Sequence, residues 1–163
     1  MLEEKAVEEP LVRVSSFEAF YDQSWSGVYR VVAVLIRDWD LAGEAVDEAM
    51  VRAYENWKSV SQMSNPQGWV YRVAVNWARS RLRRRSLWKK VMPGSPVTHD
   101  PEVSDPVTVE AIRTLPSGQR DVVVLRFLLD MSEADTAEAL GVARGTVKSR
   151  LNRALASLRE ELS

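Results

Sequence analysis

The chain has 163 residues, 28 % of them charged, a single histidine, no cysteine and a formal net charge of −1. That composition leaves no disulfide framework, no thiolate metal site and no histidine-based triad or metal cluster, since His99 stands alone. The longest apolar run, Val31 to Ile36, is far short of a membrane span, and the acidic start Met1-Leu-Glu-Glu-Lys lacks the pattern of a signal peptide, so the cytoplasm is the expected compartment.

The near-neutral total conceals strong segregation. Residues 1–57 hold 12 acids and 5 bases, whereas residues 58–92 hold 9 bases and no acid. Residues 93–143 are again acidic, and residues 144–163 carry a balance of +3. Ordinary exposed helices mix signs, so two cationic blocks far apart in sequence point to two contacts with one nucleic acid.

After an acidic extension over 1–15, an N-terminal unit over 16–90 reads as three to four helices. Phe17, Phe20, Tyr21, Val28, Val31, Val32, Leu35 and Ile36 mark the first, which Gly27 can interrupt. Ala45, Val46, Ala49, Met50, Ala53, Tyr54 and Trp57 mark the apolar face of the second, and Glu44, Asp47, Glu48, Arg52 and Glu55 its polar face. A polar loop runs from Lys58 to Pro66, and Pro66 suits the first turn of a third helix reaching about Arg85. That helix is expected to bury Trp69, Val70, Val73 and Trp77. Arg72, Asn76, Arg79 and Arg83, at i, i+4, i+7 and i+11, form one outward stripe. Base-stacking aromatics suit a strand-opening protein. The core is the better place for Trp69 and Trp77, while Trp88 lies beyond the periodic pattern and is a freer candidate for stacking.

The segment 91–108 holds four of the seven prolines and no apolar periodicity, so an extended, mobile linker is expected. Roughly 16 extended residues reach on the order of 50 Å, which lets two small domains sit with centres about 70 Å apart.

The C-terminal unit, 109–163, contains a helix-turn-helix. Ala134, Ala137 and Leu140 recur at helical spacing and can pack on Val147, Leu151, Ala154 and Leu158 of a second helix. Gly141 sits where the chain must reverse. Thr146, or Arg144-Gly145 before it, opens the second helix. With Val147 and Leu151 facing inward, Lys148, Ser149, Asn152 and Arg153 point outward, Arg144 precedes them and Arg150 flanks them. Such a helix lies in the DNA major groove with its N-terminal residues nearest the base edges.

Three motifs in order resemble the sigma-70 family of bacterial RNA polymerase sigma factors, specifically its two-domain extracytoplasmic-function (ECF) type. Val46-Asp47-Glu48-Ala49-Met50-Val51-Arg52-Ala53-Tyr54 resembles region 2.2. Trp69-Val-Tyr-Arg-Val-Ala-Val-Asn76 and Arg81-Leu-Arg-Arg-Arg85 resemble regions 2.3 and 2.4. Leu115-Pro116, Arg120, Val122 to Arg126, and Gly145-Thr146-Val147-Lys148-Ser149-Arg150-Leu151 with Arg153-Ala154-Leu155 and Leu158-Arg159 resemble region 4.

The resemblance implies an all-α chain of two small helical domains, a non-enzymatic alternative sigma factor without metal or cofactor. Region 2 would bind the clamp of core RNA polymerase through Glu44, Asp47, Glu48, Val51 and Glu55. It would recognise the −10 element of promoter DNA through Lys58, Ser61, Asn65, Arg72, Asn76, Arg79 and Arg83, with the 58–65 loop capturing an unstacked base. Region 4 would read the −35 element through Arg144, Thr146, Lys148, Ser149, Arg150, Asn152 and Arg153 and lean on the polymerase flap, while the linker threads the polymerase channels. An anti-sigma factor is a further implied partner. The chain departs from the family pattern at Asp47, usually glutamine, at Ala42 and Gly43, usually more acidic, at Ser80, commonly aspartate, and at Thr136, usually a buried isoleucine.

Two other readings differ in class. A self-sufficient regulator with a sensory N-terminal domain would bind duplex tightly without polymerase, but leaves the acid-free block unexplained. An enzyme built on Glu44, Asp47 and Glu48 lacks histidine or cysteine ligands beside those carboxylates.

Overall fold

The computed structural model describes residues 16–91 and 105–163. The acidic extension, most of the expected linker with His99, and the side chain of Trp88 lie outside the described residues.

Helix α1, Phe17–Ile36, starts at Ser16, whose hydroxyl accepts the Ala19 N–H at 3.2 Å. It runs through Gly27 without a break, because Val28 and Val32 beyond the glycine bury as deeply as Phe20 before it. Arg37, at φ 60°, closes α1 in the left-handed conformation, and Asp38 at once caps α2, Trp39–Glu55. The buried Asp38 carboxylate accepts the Leu41 N–H at 2.9 Å and also pairs with Arg85 at 2.9 Å. It thereby fixes the start of α2 and the far half of α4 with one group. Ala42, Ala45, Ala49 and Ala53 are fully buried along α2. Their small side chains let α1 and α4 approach closely while the interior stays filled.

The polar loop begins with one helical turn, α3, Trp57–Val60, which buries Val60 in the core. Helix α4, Pro66–Val91, is longer than expected. Its buried positions are Gly68, Val70, Tyr71, Ala74, Val75 and Ala78, whereas Trp69, Val73 and Trp77 are only half-buried. The inward face is rotated from the expected one because α4 touches two bodies, the α1–α2 pair and the C-terminal unit.

In the C-terminal unit α5 (Pro106–Thr114) is capped by Asp105 with Pro106 in its first turn, and α6 is Ser117–Val123. A π segment, Val124–Leu128, continues α6, with Leu129 N–H reaching back to Val124 O at 3.0 Å. Helix α7, Glu133–Leu140, and helix α8, Arg144–Leu162, form the helix-turn-helix. Gly141 takes φ 64° between them, and Val142 N–H bonds Ala137 O at 3.1 Å. Val122, Ala137 and Val147 form the centre of the motif, with Leu140, Val142 and Leu151 around it. Ala134 is exposed, so Thr136, Ala137 and Ala139 provide the inward face of α7. Fully buried Thr136 satisfies its hydroxyl by donating to Ser132 O at 2.8 Å, which is how a polar residue occupies the isoleucine position.

The two units pack directly on each other, α4 against α7 and α1 against α5, and their apolar cores are continuous. Gly68 is essential to this approach. A Cβ there would lie 2.4 Å from Met131 Cε and 2.9 Å from Ala139 Cβ.

Candidate nucleic-acid interface

The outward face of α8 is the most open cationic surface of the C-terminal unit. Lys148, Ser149, Asn152 and Arg153 are all exposed. Arg144 is the first residue of α8 rather than a residue ahead of it, and it reaches Glu133 of α7 at 3.4 Å. Thr146 is partly buried in the first turn, where its carbonyl accepts the Ser149 hydroxyl at 3.1 Å. Arg150 turns away from this face. Its guanidinium lies about 3.2 Å from where a Cβ on Gly118 of α6 would sit. The α8 N-terminus therefore presents donors of the kind that read base edges and phosphates from the major groove.

The stripe on α4 is divided. Asn76 and Arg83 are exposed, but Arg72 donates to Ala139 O of α7 at 3.2 Å, and Arg79 pairs with Asp121 of α6 at 3.2 Å. Asp121 also accepts from the Tyr71 hydroxyl at 3.3 Å. Burial, then the Asp121 charge, pushes the Tyr71 phenol well above its ordinary value. Burial, then the neighbouring Arg79 charge, lowers the Arg120 guanidinium from its ordinary value, and Arg120 donates to Leu115 O at 3.0 Å. In the 58–65 loop, Lys58 and Ser61 are exposed, and the Ser61 hydroxyl donates to Lys58 O at 3.3 Å. Asn65 Oδ1 accepts the Gly68 N–H at 3.3 Å and so caps α4. Ser64 is engaged by Glu138 of α7 through both its N–H, at 3.3 Å, and its hydroxyl.

A groove of about 300 Å³ beside the stripe is lined by Arg52, Asn76, Trp77, Ser80, Arg81 and Arg84. Arg81 covers the Trp77 ring at 4.9 Å, so this tryptophan joins the core on one side and a guanidinium on the other. Arg81 and Arg84 lie outside the expected stripe. The acid-free run and the Arg81-Leu-Arg-Arg-Arg85 motif are the sequence signs of them.

On α2, Glu44, Asp47, Glu48, Val51 and Glu55 share one outward face as expected. Two details were not legible. Asp47 is held by Trp25 of α1, whose indole N–H donates at 2.8 Å while its ring stacks on Tyr29 at 4.7 Å. Glu48 is bonded to Arg52 at 3.0 Å. Tyr54, expected in the core, is 66 % exposed and packs edge-on against Phe17 at 5.2 Å. Together with Val51, 54 % exposed, it gives the acidic face an apolar margin. The i, i+3 spacing of Val51 and Tyr54 was the available signal. No helix among the described residues is long and apolar enough to cross a membrane.

Comparison with known proteins agrees with this arrangement. The family model "Sigma-70 region 2" matches residues 20–87, and "Sigma-70, region 4" matches residues 108–158. The RNA polymerase sigma-E factor of Streptomyces coelicolor is 33 % identical over 91 % of this chain and 87 % of its own length. The ECF RNA polymerase sigma factor SigM of Mycobacterium tuberculosis is 32 % identical over 88 % of this chain and 75 % of its own length. The fold is similar to that of the sigma factor RpoE in complex with the anti-sigma factor NepR from Bartonella quintana. That match has a TM-score of 0.70 and 24 % identity, and covers 90 % of this chain and 96 % of that one. Two helical units in this order, each with a cationic helix and matched along nearly the whole chain by curated sigma factors, make it a member of the sigma-70 family, of the ECF type, acting in transcription initiation.

Proposed function

We propose that the chain is an alternative sigma factor that binds core RNA polymerase and directs promoter-specific initiation, with α8 reading a −35 element and α4 with the 58–65 loop engaging a −10 element and aiding strand opening. The observation that carries this is the α8 face, where Lys148, Asn152 and Arg153 stand exposed on a helix-turn-helix with no ion pair or side-chain hydrogen bond among the described residues. The arginines of α4 suit phosphates of an opening duplex, and the loop suits an extracted base, whose unstacking costs a few kcal/mol that pocket contacts must offset. The face of Glu44, Asp47, Glu48, Val51 and Glu55 suits the polymerase clamp, with Tyr54 at its apolar edge. Region 4 leans on the flap, and an anti-sigma factor completes the proposed partners.

In vitro transcription with purified core polymerase tests this reading. Added chain is expected to yield discrete promoter-dependent transcripts that core polymerase alone does not give. Tight duplex binding by the chain alone, with no effect on polymerase, would favour the self-sufficient regulator instead.

A further inference from the structure

The guanidiniums of α4 fall into two sets around the helix. Arg72 and Arg79 are engaged, by Ala139 O and by Asp121, each at 3.2 Å. Arg81 and Arg84 lie about 120–180° further round. There they line the groove of about 300 Å³ together with Asn76, Trp77, Ser80 and Arg52. Neither Arg81 nor Arg84 makes an ion pair or a hydrogen bond among the described residues. Arg81 is braced over the Trp77 ring at 4.9 Å, which holds it in place without neutralising it. Asn76 and Ser80 add neutral hydrogen-bonding groups, and no carboxylate lines the groove. Arg52 comes from α2, the helix of the acidic face. Two acids approach this cluster. Glu48 bonds Arg52 at 3.0 Å, and Glu44 shares an adjoining groove with Arg81, Arg84 and Arg85. Three like charges around one groove repel, and an anion placed among them removes that cost.

We infer that this groove is a phosphate-binding site bridging α2 and α4, in which Arg52, Arg81 and Arg84 take the oxygens while Asn76 and Ser80 complete the hydrogen bonding. The Trp77 ring is not free to stack on a base, because Arg81 covers one side and the core takes the other. The site therefore reads charge and not base identity. The same chemistry fits a phosphate of a bound DNA strand or the pyrophosphate group of a free nucleotide. In the first case the site rests on the −10 reading given above and carries that surface across onto α2. In either case Glu48 competes with the ligand for Arg52, so removing its charge strengthens binding. Ser80 matters by being uncharged, since a carboxylate at that position would offset one of the three guanidiniums.

Calorimetric titration of the full chain with inorganic pyrophosphate measures the site, and a fluorescent random-sequence single-stranded oligonucleotide measures strand binding. Arg52→Ala and Arg84→Ala are each expected to weaken pyrophosphate about fivefold, the scale of one hydrogen bond to a charged group. Ser80→Asp keeps every arginine and is expected to weaken it about tenfold through like charge. Glu48→Gln is expected to strengthen it about twofold, the scale of an exposed i, i+4 pair. Arg30→Ala, exposed on α1, removes the same charge away from the groove and is expected to change nothing. The site is overturned if pyrophosphate does not bind, or if Arg30→Ala weakens it as much as Arg84→Ala does. Parallel losses of oligonucleotide in the groove variants, with pyrophosphate displacing the strand, identify a strand phosphate as the occupant. Unchanged oligonucleotide affinity beside weakened pyrophosphate identifies a free nucleotide. Arg83→Ala, exposed on α4 outside the groove, keeps the two claims apart. If it lowers oligonucleotide affinity while the groove variants leave pyrophosphate unchanged, the −10 reading stands and this site falls.

Discussion

At the scale of single residues, Asp47 shows how a surface acid acquires a second task. Its carboxylate is oriented by the Trp25 indole, which is itself held against Tyr29. Replacing Asp47 by lysine would therefore disturb α1 as well as any docking surface, so the cleaner variant is Trp25→Phe. It keeps the ring packing and removes the donor. A hydrogen bond of this kind contributes about 1 kcal/mol, so affinity for core polymerase should drop about fivefold with helicity unchanged. Unchanged affinity in a titration against labelled core polymerase would show that Asp47 needs no orientation. Nothing in the sequence pairs Trp25 with Asp47, because the contact spans 22 residues and two helices. The Thr136 substitution, by contrast, was visible as a departure. Only the structure shows that its hydroxyl is satisfied locally.

At the scale of elements, periodicity located α1, α2, α4, α7 and α8, and capping chemistry explains most of their starts. The misplacements have specific causes. Gly27 offers a place for α1 to break, but one glycine inside a helix costs only about 1 kcal/mol relative to alanine. The deep burial of Val28, Val31 and Val32 exceeds that cost. Ala134 was read as inward because alanine fits either face, and periodicity built on alanine constrains orientation weakly. The outward face of α8 was legible because valine and leucine fix its inward side at Val147 and Leu151. Its role is checked by Lys148→Ala and Arg153→Ala, each expected to lower promoter-directed transcription roughly tenfold, the scale of losing a contact worth about 1–3 kcal/mol. Polymerase binding should be nearly intact. Normal transcription by both variants would reassign the −35 contacts to other residues. Arg150→Ala should behave differently and lower thermal stability first, because its guanidinium lies against α6.

At the scale of the whole molecule, the sequence disclosed two units but not that they close on each other. Gly68, Met131 and Ala139 carry no pattern that pairs them, and the arginine stripe was read only as a DNA surface. The closed state has a titratable group at its centre. Tyr71 is fully buried among Asp121, Arg79 and Arg120, and its phenol is held neutral by burial first and Asp121 second. Its folded value is raised, so its stabilising contribution is complete below the ordinary phenol value of about 10 and is lost as pH rises beyond it. Thermal stability of the folded chain should therefore fall in strong alkali. Tyr71→Phe should remove that part of the pH dependence, and an identical alkaline profile in the variant would assign the transition to other groups.

Asp38 has a mechanical consequence. At about 1.5 Å per residue, the 26 residues of α4 form a rod of about 39 Å, and the Asp38–Arg85 pair pins it near its far end to the first turn of α2. The pin lies within the arginine-rich stretch itself, so a pull on that stretch passes directly to the start of the helix that carries the acidic face, without any intervening loop.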